Sequence, residues 1–183
     1  KIRIFGIAKG SGMIAPKMGT MLAYIFIETP LNKIELNKIL KENIESTFNS
    51  ITVDGDTSTS DTVMLFSLGN NNKLLNKDSK LKKSISLSVK KVMLNLSKQI
   101  VCDGEGISKL IEVNVLNAKN KIQAKKIAFS IGESLLVKTA VFGEDANWGR
   151  IIMAIGKVIS SYPLYTPSLV TCIITVAKAS VPI

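Results

Sequence analysis

The chain contains no histidine, so neither Ser-His-Asp nor Cys-His activation of a nucleophile is open to it. A threonine or serine at a chain N-terminus carries its own base, the α-amine. That amine has an ordinary pKa of about 7.7 to 8, and it can take the hydroxyl proton near neutral pH. Cleavage of a precursor must expose such a residue. Gly19-Thr20 has the required form, a small residue directly before a threonine at the head of an apolar run. Gly19 has no side chain to obstruct attack by the Thr20 hydroxyl on its carbonyl, and it tolerates strained backbone. By itself the pair reads as an ordinary strand-start threonine, since Gly-Thr pairs are common.

Other groupings carry less. Asp54-x-Asp56-x-Ser58 looks like the start of a calcium loop, but the sixth-position Gly and the closing bidentate Glu are missing. We read it as a packed or site-adjacent loop and expect no metal. Gly10-Ser11-Gly12 lacks the Gly-Lys-[Ser/Thr] of a phosphate loop, and the element after it reads as a strand. Glu144-Asp145 and Trp148 could look catalytic; a buried Trp in a packing turn is the plainer reading. Cys102 and Cys172 have no metal or redox spacing and read as two free thiols in a reducing compartment.

The 183 residues suit one domain with a sizeable core, and 46% of them are apolar. No apolar run reaches the roughly 18 to 20 residues of a membrane span, and no signal peptide is visible. The first residue is Lys rather than Met, so the natural chain is expected to begin upstream. The formal charge is +10, nearly all from lysine, with Arg3 and Arg150 the only arginines. Fork recognition of phosphates and base edges favours arginine. A nucleic-acid partner is therefore not expected, although a diffuse basic field could draw in anionic substrates.

The elements that must hold these residues can be read from periodicity. Arg3 to Ile7 and Thr20 to Ile27 read as strands around a Gly- and Pro-marked loop. Leu36, Ile39, Leu40, Ile44 and Phe48 recur at helical spacing. Ile51-Thr52-Val53 and Thr62 to Leu68 read as strands flanking a polar loop, with a surface loop around Asn70-Asn71-Asn72. A long helix follows, with Ile85, Val89, Val92, Met93, Leu96 and Ile100 on one face. Asp103 to Gly106 interrupts it. Lys109 to Leu116 reads as a strand, Lys121 to Ile131 as a helix, Leu135 to Phe142 as a strand and Asn147 to Ile155 as a helix. The stretch after Gly156 has three prolines and at most one strand, within Leu169 to Val176. Such mixed pairs suit sheets covered by helices.

Four blocks raise the standing of Thr20. Gly6 to Ala23, Ile51 to Thr59, Asp103 to Gly106 and Leu136 to Arg150 resemble, in family order, the ornithine acetyltransferase (glutamate N-acetyltransferase) family. The resemblance spans about residues 3 to 156. It divides that domain into the end of an α-chain segment, 1–19, and a β-chain segment, 20–156, and leaves 157–183 as a tail without match. It implies an α+β fold, the αββα sandwich of certain N-terminal-nucleophile aminopeptidases, incomplete here. It also implies a self-cleaving precursor cut between Gly19 and Thr20. The family moves acetyl from N-acetylornithine to glutamate by a ping-pong route through an acetyl ester of the threonine, here Thr20. Some members also use acetyl-CoA as a substrate, and no bound cofactor is implied. Lys9 falls at a substrate-binding lysine and Glu105 at a substrate-binding glutamate. The resemblance further implies a cytoplasmic heterotetramer of two α and two β chains.

Three departures qualify these expectations. The family's oxyanion donors and a further substrate-binding Thr belong upstream of the cleavage site, where only nineteen residues stand here. Its closing Asn and Thr find no counterpart in 157–183. Gly19 replaces the commoner Ala. This chain alone is accordingly expected to lack full activity. An N-terminal-nucleophile amidase or aminopeptidase, or an inactive remnant, is the competing reading.

Overall fold

A computed structural model describes residues 2–14, 21–57, 60–69, 79–159 and 170–179. The chain divides into two compact units, one ending at Glu105 and the other beginning at Gly106.

The first unit is a sheet of β1 (Ile4–Lys9), β2 (Leu22–Ile27) and β3 (Thr62–Ser67), in the order β1-β2-β3. β1 and β2 are antiparallel, with Ile4 opposite Ile27 and Lys9 opposite Leu22. β2 and β3 are parallel, with Leu22 opposite Thr62. A parallel pair needs a crossover, and α1 (Lys33–Ile44) lies within it. Asn32 caps α1 in a reciprocal box: its side chain accepts from Glu35 N–H at 2.9 Å, and Glu35 accepts from Asn32 N–H at 3.1 Å. Lys82 of α2 (Ser79–Cys102) pairs with Glu35 at 2.7 Å and ties the two helices together.

Strand alternation decides which face is covered. Ala23, Ile25 and Ile27 of β2 have no exposed surface. They pack with Ile85, Val89, Met93, Leu96 and Ile100 of α2, the helical face expected from spacing. The other face carries an aromatic ladder. Phe5 stacks on Phe26 at 4.9 Å between ring centroids, and Phe26 on Phe66 at 5.0 Å. Phe5, Ile7 and Met64 stay exposed there.

The second unit pairs β4 (Lys109–Leu116) antiparallel with β5 (Thr171–Lys178). Helices α3 (Lys121–Gly132), α4 (Leu135–Phe142) and α5 (Trp148–Ile159) accompany it. Its core is Ile127, Ile131, Val137 and Ala154, against which Val113, Val115, Cys172 and Ile174 of the strands pack. The stretch after Gly156 therefore supplies a full strand to this unit.

The α+β class holds, and three local expectations are corrected. Leu135–Phe142 is a helix rather than a strand. Ser134 caps it, accepting from Val137 N–H at 3.4 Å, and Val137 and Ala140 turn inward while Leu135, Leu136 and Phe142 face solvent. A short apolar run fits either period, and here a cap decides for the helix. Ile51–Val53 is extended at Ile51 but forms no strand; Val53 N–H donates to Ile14 carbonyl at 2.8 Å. Trp148 is not buried: it opens α5 with 75% of its surface exposed. The expected loop at Asn70-Asn71-Asn72 lies outside the described residues.

Gly6 permits the close approach of β1 to α2. A Cβ there would lie 2.9 Å from Leu96 Cδ1 and 3.2 Å from Val92 Cγ1, whereas one at Gly12 would meet none of the described residues within 4 Å. Overpacking of this kind costs about 1–3 kcal/mol. Gly6→Ala should lower the urea midpoint accordingly, and Gly12→Ala should leave it nearly unchanged.

Candidate functional site

The register of the first unit gathers four chain segments at one end of its sheet. β1 ends there at Lys9, and β2 begins there opposite it. β3 begins there too, because it runs parallel to β2. The last turn of α2 is joined to the same end, since the Ser11 hydroxyl donates to Ile100 carbonyl. Glu105 follows five residues later in an exposed turn closed by Gly106, which has a φ of 69°.

Lys9 is thus an exposed ammonium at the end of the strand that pairs with the head of β2. Its partner Leu22 stands two positions after Thr20 in the chain. Gly19 and Thr20 themselves lie outside the described residues. The structure brings Lys9 beside the head of β2 and Glu105 to the turn after α2.

The loop joining β1 to that region turns at Gly10, whose φ of 98° suits glycine. Met13 also has a positive φ, 57°, which is uncommon for a side-chain-bearing residue. Its amide is held by Asp54: Met13 N–H donates to Oδ2 at 2.6 Å and Ile14 N–H to Oδ1 at 3.1 Å. Asp54 also accepts from Asp56 N–H at 3.0 Å. Its carboxylate therefore spends its oxygens on backbone amides and holds the Met13–Ile14 turn against its own loop. Among the described residues no cluster of acidic or cysteine side chains could hold a metal. Cys102 and Cys172 are free thiols.

A second carboxylate was not singled out by spacing. Asp61 immediately precedes β3, and its Oδ1 accepts from Met21 N–H at 2.6 Å. Thr62 N–H donates to Met21 carbonyl at 3.0 Å, and the Met21 side chain is buried. Burial pushes the Asp61 carboxyl above its ordinary value, and the Met21 amide offsets this in part. The sequence holds Asp61 in plain view as the last polar residue of a loop. The pairing register that sets it against Met21 is a long-range fact.

In the second unit Glu144 pairs with Lys109, and that ion pair holds its exposed carboxyl below its ordinary value. Asp145 accepts from Asn147 Nδ2 at 3.0 Å, and Asn147 Oδ1 accepts from Arg150 N–H at 3.2 Å. These groups cap and join α4 and α5, which gives them a structural use.

The fold is an α+β arrangement of helix-covered sheets. The model of the ArgJ family matches residues 1–181, and the chain belongs to that family. The match continues through the stretch after Gly156, beyond the four sequence blocks. The chain is 48% identical over 162 residues to the arginine biosynthesis bifunctional protein ArgJ of Bradyrhizobium diazoefficiens, covering 86% of this chain and 39% of that protein. To the protein of the same name from Streptococcus mutans it is 45% identical over 184 residues, covering 100% of this chain and 46% of that one. The crystal structure of the Bacillus halodurans protein of that name superposes with a TM-score of 0.67 at 38% identity, covering 76% of this chain and 66% of that one. The chain thus spans less than half the length of these two curated relatives.

The sign of the Asp61 shift gives a test. A carboxyl whose folded pKa is raised binds its proton more tightly in the folded state, so its contribution to stability falls as pH rises from its ordinary value through the raised one. Asp61→Asn removes that dependence. Chemical denaturation across acid to neutral pH should show the Asn variant gaining on the parent as pH rises, with no gain at the acid end.

Proposed function

We propose that this chain carries the threonine-nucleophile portion of a self-processing glutamate N-acetyltransferase of arginine biosynthesis. The observation that carries the reading is the Lys9–Leu22 register, which sets the exposed Lys9 side chain at the head of β2, two positions after Thr20 in the chain, in a chain of the ArgJ family.

The chemistry follows from the residue types. In processing, Thr20 Oγ attacks the Gly19 carbonyl. The Oγ–C bond forms, the C–N bond breaks and the hydroxyl proton passes to nitrogen. That shift frees the Thr20 amine, and water then hydrolyses the ester, releasing the Gly19 carboxylate and restoring the Thr20 hydroxyl. In transfer, that amine accepts the proton as Oγ attacks the acetyl carbonyl of N-acetylornithine, and delivers it to the departing ornithine nitrogen. Glutamate's amine then takes the acetyl group from the Thr20 ester. Lys9 pairs with the substrate α-carboxylate. Glu105 pairs with the side-chain ammonium of ornithine. Acetyl-CoA serves as a second donor in the same acetyl-Thr20 scheme, and the cleaved halves assemble as a heterotetramer.

The family resemblance assigns the oxyanion donors to a segment upstream of Gly19. Loss of such a donor costs roughly 100- to 1000-fold in rate. The isolated chain should therefore show no transfer at a normal enzymatic rate, whereas the full-length protein should. Intact mass spectrometry of the full-length protein should find two pieces meeting at Gly19–Thr20. Incubation with N-acetylornithine and glutamate should yield acetylglutamate. Acetate release in place of acetylglutamate would point instead to a hydrolase on the same fold, and a single uncut chain would overturn both readings. Lys9→Ala in the full-length protein should raise KM about 10- to 100-fold, as loss of a charge-assisted contact implies.

A further inference from the structure

We infer that Asp61 is the positioning residue for the nucleophile, acting through the backbone of Met21. The inference rests on Thr20 being that nucleophile. Met21 is fixed at every group it owns. Its N–H donates to Asp61 Oδ1 at 2.6 Å, its carbonyl accepts from Thr62 N–H at 3.0 Å, and its side chain is in the core. Consecutive residues at the start of β3 thus grip both polar groups of one residue at the start of β2.

The nitrogen held by Asp61 belongs to the Thr20–Met21 peptide. A peptide group is planar, so holding the Met21 N–H holds the plane of the amide that leads back to the nucleophile. Processing cuts on the other side of Thr20. This peptide survives it, and the same grip serves both the acyl shift and acetyl transfer.

The cost of the arrangement argues for a purpose. A carboxylate here is partly desolvated, and its burial opposes ionisation. A plain loop end could place any small polar residue before β3. An ionised acceptor makes a shorter and stronger bond to an amide than a neutral one, which matters where a nucleophile must be aimed. Asp54, by contrast, spreads its carboxylate over Met13, Ile14 and Asp56 and closes a loop on itself.

The test uses the full-length protein with Asp61→Ala, Asp61→Asn and Asp61→Glu. Small misplacements of a reacting group cost up to about 100-fold. The Ala variant should slow Gly19–Thr20 cleavage and lower kcat by about 10- to 100-fold, with KM within about twofold, because Asp61 touches no substrate. Asn keeps an acceptor oxygen at the same place but not its charge, and should fall between Ala and the parent on both readouts. Glu keeps the charge but displaces it by a methylene, and should fall nearer to Ala. Should the Ala variant fail to fold by circular dichroism, the Asn–Glu contrast alone decides. Unchanged cleavage and kcat in Ala or Glu, Asn as slow as Glu, or a loss confined to KM would overturn the inference. A parent protein that never cleaves at Gly19–Thr20 would overturn the nucleophile reading and the inference with it.

Discussion

Everything at the candidate site depends on β2 being the middle strand of its sheet. Ala23, Ile25 and Ile27 have no exposed surface, so a one-residue slip would turn all three away from α2 and bring Leu22, Tyr24 and Phe26 inward. Register is strongly specified where one face is buried in this way. That register, and no local preference, sets Lys9 opposite Leu22 on one side and Thr62 opposite Leu22 on the other. The alternating burial of six residues thereby determines where an ammonium and a carboxylate meet the segment that follows Thr20.

The helix-facing side explains how this strand order is enforced. Gly6 lets β1 approach α2 closely enough for Leu96 and Val92 to fill the space a side chain would take. The Ser11 hydroxyl then fastens the loop after β1 to the end of α2. The loop could in principle take many paths, but Gly10 and Met13 in left-handed conformation and Asp54 on the Met13 and Ile14 amides leave it few. Local strain of this type persists only where surrounding contacts over-determine it, and the end of α2 and the Asp54 loop do so here.

Much of this was legible in the residues. The apolar faces of α2 and α3, and strand β4 to its end residues, follow from period alone. Leu135–Phe142 did not, because Leu, Val, Thr, Ala and Phe in a run of eight satisfy both periods; the Ser134 cap was the available signal. Trp148 was read as buried from its size, yet it stands exposed at the start of α5. The site divides in the same way. Lys9 and Glu105 enter the candidate site only through the family blocks, since spacing alone leaves them as loop and turn residues. Asp61 enters by neither route, since its bond to Met21 exists only once β2 and β3 are paired.

The contrast between the two aspartates shows what position adds to residue type. Both lie at an edge of one polar loop, and both accept backbone amides. Asp54 does so at an exposed turn, where water can also solvate it. Asp61 does so where burial works against its charge, and its partner amide belongs to the residue after Thr20. A desolvated carboxylate is tolerated when the hydrogen bond it accepts is worth more than the solvation it loses. At Met21 that bond fixes the amide just before β2, one residue after Thr20 in the chain. The geometry therefore gives the less comfortable of the two carboxylates the more consequential position.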